Sequence, residues 1–134
     1  MVLCAVAGVQ SQSITVDKQI KRYRVPRLAF INKMDRLGAN PFPVLQALQD
    51  KLSLNPLLVH YPIGSEDRFE GIIDLIEMNA NYFAGEKGEE RVIRSIPLHL
   101  QALATEARDK MLDRLSLFST QMTQLLIART LWHE

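Results

Sequence analysis

The sequence predicts an α/β fold, a partial doubly wound parallel sheet carrying a small α+β insertion, and three observations predict it. Residues 1–6 are an unbroken apolar run and residues 28–31 are a second one. Each is followed by a stretch with the three-to-four apolar spacing of an amphipathic helix. After residue 64 the pattern changes to short apolar runs separated by turn residues. Strand and helix in alternation argue for parallel strands joined by crossovers, and short runs between turns argue for antiparallel strands.

The elements follow in order. Residues 1–6 lack polar alternation, the pattern of a strand covered on both faces. Such a strand needs neighbours to pair with, so the sequence predicts further chain upstream. Residues 8–13 read as a turn and residues 13–23 as a short helix with Ile14 and Ile20 on one side. Lys18, Lys21, Arg22, Arg24 and Arg27 cluster at its end, where positive charge complements the helix dipole, and they read as a solvated face rather than a phosphate-binding patch. The strand at 28–31 ends on Asn32-Lys33-Met34-Asp35. Pro41 and Pro43 open a helix with Val44, Leu45, Leu48 and Leu52 on one face. Residues 57–63 are a third strand candidate, and residues 69–78, 81–83 and 91–93 are short antiparallel ones with a charged turn at 85–90. Pro97 opens a helix with Leu100, Leu103, Ala107, Met111, Leu115 and Phe118 on one face. Ser119 or Thr120 caps a last helix over residues 122–132.

Composition narrows the class. The 134 residues are 47% hydrophobic with a net charge of +1, too apolar and too nearly neutral for intrinsic disorder. Overall charge gives no reason to expect nucleic-acid or membrane-surface binding. A single cysteine, Cys4, excludes an internal disulfide framework and reads as a small buried hydrophobe. The apolar opening has no basic n-region, and no run approaches the roughly 20 residues that span a bilayer. The expected compartment is cytoplasmic, with an organellar matrix also compatible.

One constellation carries chemistry: Asn32, Lys33 and Asp35 at the carboxyl end of a buried parallel strand, where open α/β sheets bind ligands. A guanine base presents an N1–H and a 2-amino donor side by side, and an ionised Asp35 accepts from both in a bidentate, charge-assisted contact. Adenine lacks that donor pair. Asn32 can donate to the N7 and O6 side or tie the loop together, and the Lys33 stem can lie over the base. The same residues also suit a polar turn whose Asn and Asp bond local backbone. His60, His99 and His133 are far apart and form no metal set. The pairs Glu66-Asp67 and Glu89-Glu90 read as solvating loops. Residues 1–134 contain no Gly-x-x-x-x-Gly-Lys-Ser/Thr loop to cradle phosphates.

Three blocks carry a family resemblance. They are Val2-Leu3-Cys4-Ala5-Val6-Ala7-Gly8-Val9-Gln10, then Val25-Pro26-Arg27-Leu28-Ala29-Phe30-Ile31-Asn32-Lys33-Met34-Asp35-Arg36, then Pro62-Ile63-Gly64-Ser65-Glu66-Asp67 with Phe69-Glu70-Gly71-Ile72-Ile73-Asp74. In order and spacing they resemble the elongation factor G family of translational GTPases, more closely than release or tetracycline-protection GTPases. The resemblance implies a GTPase domain of the P-loop NTPase type. It implies that Asn32 and Asp35 recognise guanine and that Lys33 packs on the nucleotide, GTP or GDP, which the complete family protein binds with magnesium.

By the same resemblance residues 1–63 are a partial GTP-binding domain and residues 64–118 an insertion subdomain that faces the ribosomal stalk protein. Residues 119–134 are a divergent C-terminal tail, because the family is acidic there and residues 120–133 hold no acid. The family's phosphate loop, switch segment and Asp-x-Pro-Gly-His motif are expected before Met1, along with no magnesium ligands here. The complete protein would couple GTP hydrolysis to ribosomal translocation; this stretch alone is expected not to hydrolyse GTP. The alternative is a non-catalytic module that binds the stalk through the insertion.

Overall fold

The computed structural model describes residues 1–85 and 88–131, and the chain divides into two compact units. The first comprises Met1–Pro56 and Gly64–Glu70, the second Leu57–Ile63 and the chain from Gly71 onward. Together they make a mixed α/β fold with one parallel and one antiparallel sheet.

In the first unit, β1 (Val2–Cys4) and β2 (Phe30–Asn32) pair in parallel, with Val2 opposite Phe30, Leu3 opposite Ile31 and Cys4 opposite Asn32. The crossover between them is α1 (Ser11–Arg22), and α2 (Pro41–Leu52) follows β2. Strand alternation places Leu3 in a core with Val9, Val44, Leu48 and Leu52, against which Ile14, Ile31 and Leu45 pack. The expectation of a strand covered on both faces is corrected. Val2 is 68% exposed and its register partner Phe30 is 65% exposed, so among the described residues the helices cover one face only.

Helix starts follow from local chemistry. The Ser13 hydroxyl accepts from the Gln10 N–H at the mouth of α1, and Asn40 Oδ1 accepts from the Phe42 N–H at 3.0 Å to cap α2. Pro41 stands at N1, where no donor is needed. The basic cluster is not simply solvated. Asp17, only 3% exposed, pairs with Lys21 at 2.9 Å and with the Arg27 guanidinium, and Lys21 Nζ also donates to the Leu52 carbonyl at the end of α2. Two of the five cations thus neutralise one buried carboxylate, while Lys18, Arg22 and Arg24 face solvent.

The second unit is a four-stranded antiparallel meander of β3 (His60–Ile63), β4 (Gly71–Asp74), β5 (Asn79–Ala84) and β6 (Glu90–Arg94), followed by α3 (Leu98–Ser116) and α4 (Thr120–Leu131). The third strand candidate therefore exists, but it pairs antiparallel with β4, from His60 opposite Asp74 to Ile63 opposite Gly71, and not with the parallel pair. The core is Ile63, Ile73, Leu75, Ala80, Ile96, Ala104 and Met111. The buried face of α3 is the expected one with additions: Leu100, Ala107, Met111 and Leu115 lie on it as expected, Ala104 and Leu112 join them, and Phe118 lies past the helix end and is 70% exposed.

Asp74 closes the β4–β5 turn by accepting from the N–H groups of Ile76 and Glu77. Burial alone would raise its pKa; those two donors, with the charges of His60 and Arg91, outweigh burial and hold it below the usual range. Arg108 of α3 donates to the carbonyls of Leu75 and Ile76, which joins helix to sheet. Ser119 caps α4, its hydroxyl accepting from the Met122 N–H at 3.2 Å. Part of the charged turn expected at 85–90, and Trp132 to Glu134, lie outside the described residues. Among the described residues no helix is long and apolar enough to cross a membrane.

The Asp17 cluster yields a test. Burial would raise this carboxyl, but hydrogen bonds from Lys21 and Arg27 and their charges outweigh it and depress the pKa. A depressed folded pKa contributes stability that is present above the ordinary carboxylate value and is lost as pH falls through the lower folded one. Asp17→Asn should therefore lower stability by about 2 kcal/mol at pH 7, below the range for a fully buried pair because Lys21 is 46% exposed. In urea unfolding the gap between wild type and variant should narrow below about pH 4.

Candidate functional site

The candidate residues sit on a loop whose two ends meet on one buried alanine. Ala5, 3% exposed, donates its N–H to the Asn32 carbonyl at 2.8 Å, and its own carbonyl accepts from the Asn40 N–H at 3.1 Å. Residues 33–39 are therefore closed into a loop between the end of β2 and the cap of α2. Inside it the Arg36 N–H donates to Lys33 and the Ala39 N–H to Arg36, two successive turns. Met34 and Ala39 point inward and pack with Ala5, Ile31 and Phe69, while Asn32, Lys33, Asp35 and Arg36 are exposed. Leu37 of the same loop is also exposed, so the outward side is polar except at that residue, while the inward side is apolar.

Each of the three side chains has a distinct setting. Asn32 Oδ1 accepts from the Lys33 N–H at 2.8 Å, which leaves the carboxamide nitrogen as the group with donors to offer. Lys33 has φ +64, a left-handed conformation that costs an L-residue about 1 kcal/mol. Asp35 is 68% exposed, and its nearest cation, Arg36 Nε, is 3.8 Å away and itself 71% exposed. Among the described residues the Asp35 carboxylate takes no hydrogen bond from local backbone. The polar-turn reading thus describes Asn32 in part, since its oxygen ties the loop, but it does not describe Asp35.

Glu66 was expected to solvate a loop, and the structure corrects this. Its carboxylate accepts from the Gly38 N–H at 2.7 Å, and its own N–H donates to the Met34 carbonyl at 2.9 Å. Asp67 does face solvent. Nothing in the spacing of residues 64–70 foretold the contact, because the partners lie 28 positions apart. Gly64 was the one local signal of a tight fold-back: it has φ +75, and a Cβ there would fall 1.8 Å from the Arg68 carbonyl oxygen.

Cys4 is half-buried rather than fully buried. The N–H groups of Ala7 and Val6 lower its thiol pKa, burial works against them, and the Lys33 charge adds to the lowering. His60 lies 3.9 Å from Asp74. Among the described residues no three His, Cys, Asp or Glu converge into a group able to hold a metal ion.

A pinned loop at the carboxyl end of a parallel strand lies where open α/β domains bind their ligands, which places the segment in the class of ligand-binding α/β domains. Comparison with known proteins makes it specific. The profile of the elongation factor Tu GTP-binding domain matches residues 1–126. Elongation factor G 2 of Anaeromyxobacter dehalogenans is 53% identical over 127 residues, 95% of this chain and 18% of its own length. Elongation factor G of Rhodopirellula baltica is 55% identical over 128 residues, 96% of this chain and 18% of its own length. Elongation factor G 1 of Treponema pallidum is 54% identical over 130 residues, 97% of this chain and 19% of its own length.

A crystal structure from Thermus thermophilus superposes with a TM-score of 0.77 at 20% identity, covering 94% of this chain and 18% of that one, a likeness of fold. The chain belongs to the elongation factor Tu GTP-binding domain family. It spans about a fifth of the length of these relatives.

The fold-back at Gly64 can be tested directly. Gly64→Ala should lower the stability of the first unit by about 1–3 kcal/mol, from the left-handed φ and the clash together. In an amide NMR spectrum it should also displace Met34 and Gly38, the two residues that Glu66 holds.

Proposed function

We propose that this chain is the guanine-recognition segment of an elongation factor G type GTPase, which in complete form couples GTP binding and hydrolysis to movement of messenger and transfer RNA through the ribosome. The observation that carries the reading is the exposed Asp35 carboxylate on a loop closed at both ends by Ala5. Asp35 accepts from guanine N1–H and the 2-amino group. The Asn32 carboxamide nitrogen donates toward N7 and O6 while its oxygen holds the turn. The Lys33 stem covers the base. The donor and acceptor set suits a purine and discriminates guanine from adenine, whose edge offers no paired donors. GTP and GDP are the nucleotides; magnesium belongs to the phosphate end of the complete family protein.

The partners of the whole protein are the ribosome and, through residues 64–118, its stalk protein. From Gly71 onward that stretch belongs to the antiparallel unit, whose separate apolar core supports the assignment, because a unit with its own core can present a surface of its own. An isolated base-reading loop leaves the phosphates without partners, so affinity for this chain alone falls in the millimolar range, and hydrolysis belongs to the complete protein.

Titration of the isotope-labelled chain with guanosine monophosphate should shift the amides of residues 32–36, and adenosine monophosphate should not. Asp35→Ala should weaken the guanosine response about tenfold, the loss of one charged hydrogen-bonded pair. In Asp35→Asn the carboxamide offers one acceptor and one donor, which fits xanthine, whose C2 carbonyl replaces the guanine amino group. That variant should prefer xanthosine monophosphate. Equal shifts with adenosine monophosphate, or guanosine shifts remote from this loop, would sink the assignment.

A further inference from the structure

Glu66 makes two contacts with the loop that carries Asp35, one by side chain and one by backbone, and they fall on either side of Asp35. Its N–H holds the Met34 carbonyl at 2.9 Å and its carboxylate holds the Gly38 N–H at 2.7 Å. Glu66 makes both contacts from a left-handed backbone, with φ +59. Lys33, at the start of the same loop, has φ +64. Strained residues persist where surrounding contacts over-determine them; one of these begins the recognition loop and the other bonds it at two points. Phe69, from the same short segment, packs against Met34, Ala39 and Ala5 beneath.

We propose that Glu66 is a positioning residue for base recognition, its carboxylate fixing the Gly38 side of the loop so that Asp35 is presented ready to accept from guanine. The proposal rests on the guanine reading of Asp35. The binding contribution is pre-organisation: without the brace the 35–38 stretch must be ordered when the base arrives, and that ordering is subtracted from affinity. Glu66 touches no nucleotide. Its role separates from that of Gly64, whose substitution disturbs the fold-back itself, and from that of the Glu66 backbone, whose N–H to Met34 alanine and glutamine both retain.

The test uses Glu66→Ala and Glu66→Gln in the full 134-residue chain. Alanine keeps the backbone bond to Met34 at the same left-handed cost as glutamate, and glutamine keeps an acceptor for Gly38. Three quantities are read: the affinity for guanosine monophosphate from amide shifts, the hydrogen-exchange rate of the Gly38 amide, and the thermal midpoint. Glu66→Ala should speed Gly38 exchange and weaken guanosine monophosphate binding about fivefold, the worth of one net hydrogen bond. The midpoint should fall by no more than one such hydrogen bond is worth, a few degrees, amides outside residues 33–39 and 64–69 should keep their shifts, and Glu66→Gln should recover most of these effects.

Unchanged Gly38 exchange in Glu66→Ala would remove the brace. Faster exchange with undiminished binding would remove the positioning role, and weaker binding accompanied by displaced amides throughout the first unit would reduce Glu66 to a structural residue. A wild-type chain that does not prefer guanosine over adenosine monophosphate would instead overturn the guanine reading, and the proposal with it, before any variant is compared.

Discussion

Ala5 is the residue on which the site depends. Its amide holds the last carbonyl of β2 and its carbonyl holds the first amide before α2, so the loop that leaves the strand returns to the place it left. A seven-residue connection closed in this way has little freedom left, and its two inward side chains, Met34 and Ala39, use what remains by packing against the same alanine. Ala5 can do this because it is small and buried, one position past the strand pairing that sets Cys4 opposite Asn32. A larger side chain there would push the two loop ends apart. Exposure of Asp35 is therefore not looseness. A side chain points outward from backbone that is bonded around it.

The remainder of the first unit serves to hold that pairing. Leu3 and Ile31 fix one face of the two strands against α1 and α2. The buried Asp17 ties the end of α1 to the connection that leads into β2 through Arg27, and Lys21 carries the same network to the last carbonyl of α2. One carboxylate thus joins the three segments that flank the strand. Desolvating it is unfavourable, and the two cations that offset the cost give the cluster its geometric specificity.

The second unit follows different physics. Its sheet is a meander of neighbours in sequence, whose turns are closed by local chemistry such as Asp74 accepting from the two amides that follow it. Such contacts are short in sequence, so the presence of short antiparallel strands was legible, but not their limits: the strand expected over residues 69–78 ends at Asp74, and the turn to β5 occupies residues 75–78. The face of α3 that packs in this core was legible at Leu100, Ala107, Met111 and Leu115, and packing added Ala104 and Leu112 beside them.

By itself the sequence determined the order of strands and helices and the place of Asn32, Lys33 and Asp35 at the end of a parallel strand, because apolar periodicity and turn residues are local properties. It misjudged what depends on partners distant in the chain. The run at residues 1–6 reads as doubly covered, yet Val2 is exposed; residues 57–63 read as a strand without showing which partner it takes, and they pair with β4. Arg27 and Lys21 read as solvated, yet they neutralise a buried carboxylate. Glu66 reads as a loop solvent group, yet it bonds a loop 28 positions away. The tertiary structure alone decided these, since a charge or a strand edge is satisfied by whichever group the fold brings near, and nothing in the neighbouring residues records which one that is.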